Sequence, residues 1–238
     1  MNAIDAPAPQ DYHLHTTFSD GDSTLLSVVR ACASVGCKEI AITDHVDQHG
    51  SFAYVPEFRG TSSLGLYLED IKKLGDYAMD ELGVAVHPGI ELSTTSHAYK
   101  TAFREYVAPS CKDIDIILIE GRDVAGPVDV AIAAREILHD LGLKAIPIVI
   151  SHPRFGEIVG KLEVLVRNNI GLELNEAKLS PVHKQGLDLV LDAVREQSMG
   201  MPRFTLGSDA HSATDAGKIP LVYQHARARG LIKHLIWP

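Results

Sequence analysis

The stretch DYHLHTTFSDGDSTLLSVVRACASVGCKEIAITDH, residues 11–45, has the pattern of a strand, a helix and a second strand. Its first segment, 11–15, and its last segment, 39–44, are short and mostly apolar, as buried strands are. Between them, residues 23–36 place apolar side chains at helical spacing and end at a glycine, a common helix terminator. A helix between two buried strands favours parallel pairing of those strands, with the helix covering one face of the sheet.

The same alternation continues through the rest of the 238-residue chain. Five more segments rich in Ile and Val follow, and amphipathic stretches with helical periodicity separate most of them. The seven predicted strands are 11–15, 39–44, 83–92, 114–120, 145–152, 170–175 and 203–209. Seven such units predict a single domain over residues 1–238, built as a barrel close to the (β/α)8 type with one unit missing. A doubly wound open sheet is the alternative, although the chain has no GxGxxG or GxxxxGK[ST] motif.

Composition restricts the possible partners and the compartment. The chain has 22 Lys and Arg against 31 Asp and Glu, a net charge of -9. Because nucleic-acid affinity depends on basic side chains that displace counterions, long duplex nucleic acid is disfavoured as a partner. Three cysteines without CxxC spacing disfavour a disulfide framework. The N-terminus does not resemble a signal peptide and no apolar run approaches about 18 residues, so we expect a cytoplasmic protein with no membrane segment. The sequence contains no signal for the oligomeric state.

Two connections are longer than the others, residues 46–65 and 93–113. The second of these could hold a short helix, but it has no clear amphipathic pattern. Long loops next to a barrel mouth often cover a substrate, so both are candidates for that role. His49 in the first connection and His183 in a later loop could contact substrate.

Histidines and acids collect at one end of the predicted strands. In a barrel of parallel strands, side chains converge at the carboxyl ends of the strands, where active sites lie. His13 and His15 share one face of an extended strand, about 6.6 Å apart, and the loop after them could bring Asp20 back towards the same ion or a neighbouring one. The other candidates are Asp44, His45, Glu91, His152, Asp209 and His211. Imidazole and carboxylate groups are ligands of Zn, Mn and Fe, so the set predicts a metal site.

Each of these residues also has a purely structural interpretation. His152 could simply end a strand, and Asp44 or Asp209 could cap the segment that follows it. Glu91 is more informative, because a carboxylate at the end of an apolar strand is costly to bury unless it is paired or metal-bound. Taken together, the residues favour metal binding.

These motifs resemble those of the PHP family, the phosphoesterase domains named for bacterial polymerases and histidinol phosphatase. The matching motifs are HLHTTFSDG (13–21), AITDH (41–45), GIEL (89–92), SHP (151–153) and GSDAH (207–211). They occur in the family's order and extend over nearly the whole chain. The resemblance implies a distorted (β/α)7 TIM-like barrel that holds two or three divalent ions, often Zn, Mn or Fe.

The resemblance also implies which side chains hold each ion. The first ion would bind to His13, His15, Glu91 and Asp209. Glu91 would bridge to a second ion, which His152 would also bind. The third ion would bind to Asp20, His45 and His211.

One position departs from the family pattern. Many members end the fourth strand with a histidine that helps to hold the second ion, whereas this chain has Glu120. Glu120 could ligate in its place, or it could leave that site weaker or empty. An exposed ion pair between Glu120 and Arg122 is the structural alternative.

The predicted activity is hydrolysis of a small phosphomonoester by a metal-bound hydroxide. Histidinol phosphate, a nucleotide or a sugar phosphate would each suit this chemistry. Asp44 could orient a ligand or move a proton, and Arg122 and Arg154 could bind phosphate oxygens. Three alternatives stay open: an exonuclease acting on short oligonucleotides, a non-catalytic PHP module, and a carbon–nitrogen hydrolase on a related barrel.

Overall fold

Short parallel strands form the wall of a barrel in this computed structural model. The structure describes residues 10–52, 61–94, 98–120, 126–143 and 145–236. The strands are β1 Gln10–Asp11, β2 Glu39–Ile42, β3 His45–Asp47, β4 Ala85–Ser93, β5 Ile116–Ile119, β6 Ile148–Ile150, β7 Ile170–Asn175 and β8 Phe204–Gly207. Their order is β1-β2-β4-β5-β6-β7-β8, and β3 continues beyond β2 along the same edge of β4. Seven positions in the wall therefore hold eight strand segments.

Backbone hydrogen bonds join the first strand to the last. Tyr12 N donates to Leu206 O at 2.9 Å, and His15 N donates to Ala210 O at 3.0 Å. In the opposite direction, Asp209 N donates to His13 O at 3.0 Å. These bonds close the barrel beyond the short β1, so the barrel prediction is confirmed and the open sheet is excluded. That the whole chain forms one domain stays a prediction.

Helices cover the outside of the barrel, as the alternating pattern predicts. They are α1 Leu25–Ser34, α2 Thr61–Leu82, α3 Tyr99–Ala102, α4 Pro127–Asp140, α5 Phe155–Ile158, α6 Leu162–Arg167, α7 Pro181–Glu196 and α8 Pro220–Ala228. A π-helical segment, Phe103–Val107, and three 3-10 segments, Ala108–Asp113, Val159–Lys161 and Ile232–His234, complete them. No helix in these ranges has the length and apolar character that crossing a membrane requires.

Apolar side chains fill both faces of the barrel wall. Most of the core lies where the strands meet the helices. A smaller cluster includes Leu118 and Val149, which lie in register with Glu91 and so share its face of the wall. Apolar side chains inside the barrel therefore pack next to the polar residues at the mouth.

The two long connections have different outcomes. Residues 53–60 of the first lie outside the described residues, and α2 begins directly afterwards at Thr61. The second contains α3 and the two irregular helical segments that follow it, so the predicted short helix is confirmed. All three cysteines are buried and unpaired.

Candidate metal centre

The mouth of the barrel brings together all nine predicted ligands. His13 and His15 follow β1, His45 begins β3, Glu91 lies in β4, and His152 follows β6. Potential ligand atoms lie within 4.8 Å of one another in four overlapping groups. The groups are His15, Asp20, His45 and His211; His13, His15 and Asp209; His13, Glu91 and His152; and His45, Glu91 and Glu120.

Glu91 lies at the centre of this arrangement. Its Oε2 atom is 3.2 Å from His13 Nε2, 3.6 Å from His15 Nε2 and 3.1 Å from His45 Nδ1. Its Oε1 atom is 3.2 Å from His152 Nε2. One fully buried carboxylate therefore faces imidazoles from three strands, which is the geometry required of a bridging ligand.

Several of the facing atoms lack hydrogen bonds. His13 Nε2, both ring nitrogens of His15 and Glu91 Oε2 are buried, and no hydrogen-bond partner serves them within the described residues. An unsatisfied buried polar group costs about 1–3 kcal/mol, so a folded protein rarely leaves four of them together. Divalent cations coordinated by these nitrogen and oxygen atoms would satisfy them, and the donor types fit Zn, Mn or Fe.

The carboxylates at the mouth are held in their ionised form. Burial alone would raise the pKa of Glu91, but the charge of His13 and the adjacent imidazoles of His152 and His15 hold it well below its usual range. Burial also opposes ionisation of Asp20, yet a hydrogen bond from His211 and the nearby imidazoles lower its pKa to about 2. The site is therefore a concentration of negative charge that requires cations.

The carboxylates at the mouth favour the protonated forms of His13 and His152. Burial lowers the pKa of His13, but the carboxylates of Glu173 and Glu91 outweigh burial and raise it well above its usual value. His152 behaves alike, since the hydrogen bond to Glu91 raises its pKa against the effect of burial. Metal ions at these positions would have to displace those protons, as metal binding at histidine sites generally does.

Two of the site residues adopt left-handed backbone conformations. His152 has a φ angle of 29° and Asp209 has a φ angle of 60°. Residues other than glycine rarely adopt such φ angles, and strained backbone of this kind is found most often at functional sites. Hydrogen bonds hold both in place, because His152 N donates to Glu173 Oε2 at 2.6 Å and Asp209 N donates to His13 O at 3.0 Å.

Comparison with known proteins agrees with this geometry. A family model, the PHP domain, matches residues 11–118. Over these residues the chain is similar to the PHP domain family. The uncharacterized protein MJ1295 of Methanocaldococcus jannaschii is 30% identical over 121 residues, which are 50% of this chain and 48% of that protein. The chain thus spans about half the length of this curated relative.

Two crystal structures have similar folds. Histidinol phosphate phosphatase from Lactococcus lactis, complexed with Zn, L-histidinol and phosphate, has a TM-score of 0.66 at 19% identity. That match covers 96% of this chain and 95% of the other. The phosphotriesterase homology protein from Escherichia coli, with phosphate in its active site, has a TM-score of 0.51 at 12% identity and is matched over 81% of its length. At these identities the likeness shows the fold.

Asp44 organises the loop that follows the first strand. Its buried carboxylate accepts hydrogen bonds from Thr16 N at 2.7 Å, Thr16 Oγ1 at 2.8 Å and Ser19 Oγ at 2.6 Å. These bonds hold the loop that carries Asp20 against the mouth. The direct catalytic role suggested for Asp44 stays a prediction, and the contacts favour positioning of the loop.

A cavity of about 650 Å³ opens beside His152. Its lining includes Ser151, Arg154, Lys178 and His183. Lys178 Nζ lies 3.0 Å from Asp209 Oδ2, at the boundary between the cavity and the ligand groups. The Lys178 ammonium therefore lies where the cavity adjoins the candidate metal centre, whereas Arg154 and Glu157 also line the cavity.

One of the two predicted arginines, Arg154, lies within the described residues. Arg154 lies on the rim of this cavity with 84% of its side chain exposed, and its Nη1 atom is 3.3 Å from Glu157 Oε1. It can therefore turn towards a ligand without breaking a buried contact. Arg122 lies outside the described residues.

Glu120 is buried at the mouth, on the side of His45. Its Oε2 atom accepts a hydrogen bond from Ser93 Oγ at 2.7 Å and lies 3.8 Å from His45 Nδ1. The group that contains Glu120 is completed by His45 and Glu91, whereas His152 belongs to a different group. If Glu120 is a ligand, it therefore shares an ion with His45 more readily than with His152.

Two residues of the site, Glu173 and Lys178, were not predicted from the sequence. Glu173, in the apolar strand β7, bonds to His13 Nδ1 at 2.8 Å, and Lys178 follows the same strand. A charged residue within IGLELN was a signal, because an acid in an apolar strand is costly to bury without a partner. Lys178 had no such signal, since surface lysines in loops are common.

Proposed function

We propose that this protein is a metal-dependent phosphomonoesterase that acts on a small phosphorylated metabolite. The observation that carries the proposal is the cavity with Lys178 and Arg154 in its lining, directly beside a group of buried metal-ligating atoms that lack hydrogen bonds. Such a pair of features provides places for divalent ions and for an anionic substrate next to them. The histidinol phosphate phosphatase with the same fold supports this reaction class.

The candidate ligands would hold two or three divalent ions in overlapping groups. His13, His15, Glu91, His152 and Asp209 would form the inner part of the centre. Asp20, His45 and His211 would form its outer part, with Glu120 next to His45. When bound, divalent ions in such a site lower the pKa of water and withdraw charge from a phosphoryl oxygen.

Residues of the cavity would orient the ester. Lys178 can donate to a phosphoryl oxygen that lies near Asp209, and Arg154 can close over the same group from the rim. His183 and the apolar wall would surround the leaving group. A volume of about 650 Å³ suits histidinol phosphate, a nucleotide or a sugar phosphate.

The experiment that tests this proposal is a substrate screen of the purified protein loaded separately with Zn, Mn and Fe. We expect metal-dependent release of phosphate from at least one small phosphomonoester, with removal of activity by a chelator. Short oligonucleotides and duplex DNA belong in the same screen. Preferred cleavage of oligonucleotides would indicate the exonuclease, and metal binding without any hydrolysis would indicate a non-catalytic module.

Replacement of Lys178 by Ala is expected to lower kcat/KM for the best substrate by about 10- to 100-fold. A charge-assisted hydrogen bond contributes about 1.5–3 kcal/mol, which corresponds to that range. The matched control is Lys73→Ala, which removes a surface lysine of α2 that pairs with Glu69 at 2.8 Å. Equal kcat/KM for both variants would exclude Lys178 from substrate binding.

Replacement of Glu120 by Gln is expected to lower the occupancy of one ion and to leave the fold intact. The amide oxygen is neutral and a weaker donor than a carboxylate, so excess metal should restore part of the activity. Glu120→His should retain more metal than Glu120→Gln, because it supplies an imidazole that can ligate. Elemental analysis after gel filtration checks this, and full occupancy in Glu120→Gln would contradict a ligand role.

A further inference from the structure

Glu173 is a buried acid behind the candidate ligands, and three hydrogen-bond donors surround its carboxylate. Its Oε1 atom accepts from Asn175 Nδ2 at 3.0 Å and lies 2.8 Å from His13 Nδ1. Its Oε2 atom accepts from His152 N at 2.6 Å. The side chain is fully buried, so no solvent replaces these contacts. One carboxylate from β7 therefore connects two candidate ligands that belong to different strands.

The contact with His13 decides which ring nitrogen can bind metal. An ionised carboxylate only accepts hydrogen bonds, so the proton of a neutral His13 ring lies on Nδ1. The lone pair then lies on Nε2, which is 3.2 Å from Glu91 Oε2 and 3.5 Å from Asp209 Oδ1. The nitrogen that faces the other ligands is thus the one left able to coordinate. Carboxylates behind metal-bound histidines act in this way in many metalloproteins.

The contact with His152 holds a strained peptide. The φ angle of 29° is unfavourable for a histidine, and the short bond from its N–H to Glu173 Oε2 compensates for part of that cost. This backbone conformation directs the imidazole towards Glu91, at 3.2 Å from Oε1. Loss of the bond would allow His152 to relax away from the mouth.

The wall of the barrel leaves space for this carboxylate. A Cβ atom built on Gly207, in the neighbouring strand β8, would overlap Glu173 Oε1. The space that glycine leaves is therefore filled by the carboxylate behind His13. The placement of Glu173 thus depends on β7, which carries it, on β8, which leaves the space, and on β1, which His13 follows.

We propose that Glu173 is a positioning residue of the metal centre, which fixes the His13 tautomer and the His152 backbone so that both imidazoles coordinate. This inference rests on the proposed metal-dependent function. It adds a residue outside the ligand set, and it predicts a selective effect. The groups that contain His13 or His152 depend on Glu173, whereas the group of Asp20, His45 and His211 has no contact with it in the described residues.

The test is zinc binding by Glu173→Gln, measured by competition with a chromophoric chelator. Glutamine has one acceptor oxygen where glutamate has two, so His13 Nδ1 or His152 N loses its partner. We expect the affinity for one zinc ion to fall by about 10- to 100-fold, the usual effect of removing such a carboxylate. The affinity of the outer group should stay within about threefold of the wild-type value. An Asp20→Ala background, which removes the carboxylate of the outer group, identifies the affected ion.

The matched control is Glu176→Gln, three residues further along the chain. Glu176 accepts hydrogen bonds from Leu221 N at 3.2 Å and Val222 N at 2.7 Å and belongs to none of the ligand groups. Zinc affinity of Glu176→Gln should equal that of the wild type. Thermal unfolding in chelator shows whether each variant is folded before zinc is added.

The possible outcomes separate the inference from the proposed function. If the wild type binds none of Zn, Mn and Fe, the proposed function fails, and the inference fails with it; if it binds Mn or Fe but not zinc, the same competition is measured with that metal. If the wild type binds zinc and Glu173→Gln binds it equally well, only the inference is overturned. A uniform loss at all sites, with a lower unfolding temperature in chelator, would assign Glu173 a structural role and would also overturn it. Selective loss of one ion from a folded variant supports positioning.

Discussion

Replacement of Glu91 by Gln is expected to remove bound metal and to lower kcat/KM for phosphomonoester hydrolysis on the order of a thousandfold. Glu91 belongs to two of the four ligand groups, and its two oxygen atoms face histidines on opposite sides. An amide oxygen cannot supply the negative charge that compensates two cations. The effect should therefore exceed that of Glu120→Gln, which changes one group.

The measurement is elemental analysis together with steady-state kinetics. Glu69→Gln is the matched control, because Glu69 lies on the exposed face of α2 and pairs with Lys73 at 2.8 Å. This control should keep full metal content and activity, since an exposed pair contributes less than about 1 kcal/mol to stability. A Glu91→Gln variant that retains every ion would contradict the bridging role of Glu91.

The sequence predicts the strands well because the apolar pattern that indicates a strand is local. Each of the seven predicted segments overlaps an observed strand, although 11–15 shares only Asp11 with β1, since apolar runs bounded by turn residues need no distant information. Their ends were predicted too long, as for 145–152, where only Ile148–Ile150 pairs as a strand. The difference has a physical reason, because the chain leaves the ladder at the mouth to direct side chains such as His152 inwards.

The ligand set could be predicted because its members follow the strands in recognisable motifs. Contacts behind the ligands could not, since they depend on how the barrel closes. Glu173 lies 160 positions from His13, and only the pairing of β7 with β8 and the closure onto the first strand bring them together. The second wall position also divides into β2 and β3 around Asp44, which points towards the loop with Thr16.

Gly207→Ala is expected to lower the free energy of unfolding by about 3 kcal/mol and to weaken zinc binding. Gly207 ends β8 and is buried against two groups of the site. An added Cβ would overlap the carboxylate of Glu173 and would lie 2.5 Å from His13 Cβ. Neither neighbour can move freely, because Glu173 has three hydrogen bonds and His13 follows the first strand of a closed wall.

The matched control is Gly65→Ala, because a Cβ at Gly65 in α2 would meet no atom within 4 Å. An alanine in a helix interior stabilises the helix by up to about 1 kcal/mol relative to a glycine. The control protein should therefore be at least as stable as the wild type. Chemical denaturation in chelator measures both variants without a contribution from metal. Equal stability of Gly207→Ala and the wild type would show that the carboxylate can move away, and zinc affinity in that variant should then fall because Glu173 no longer contacts His13 and His152.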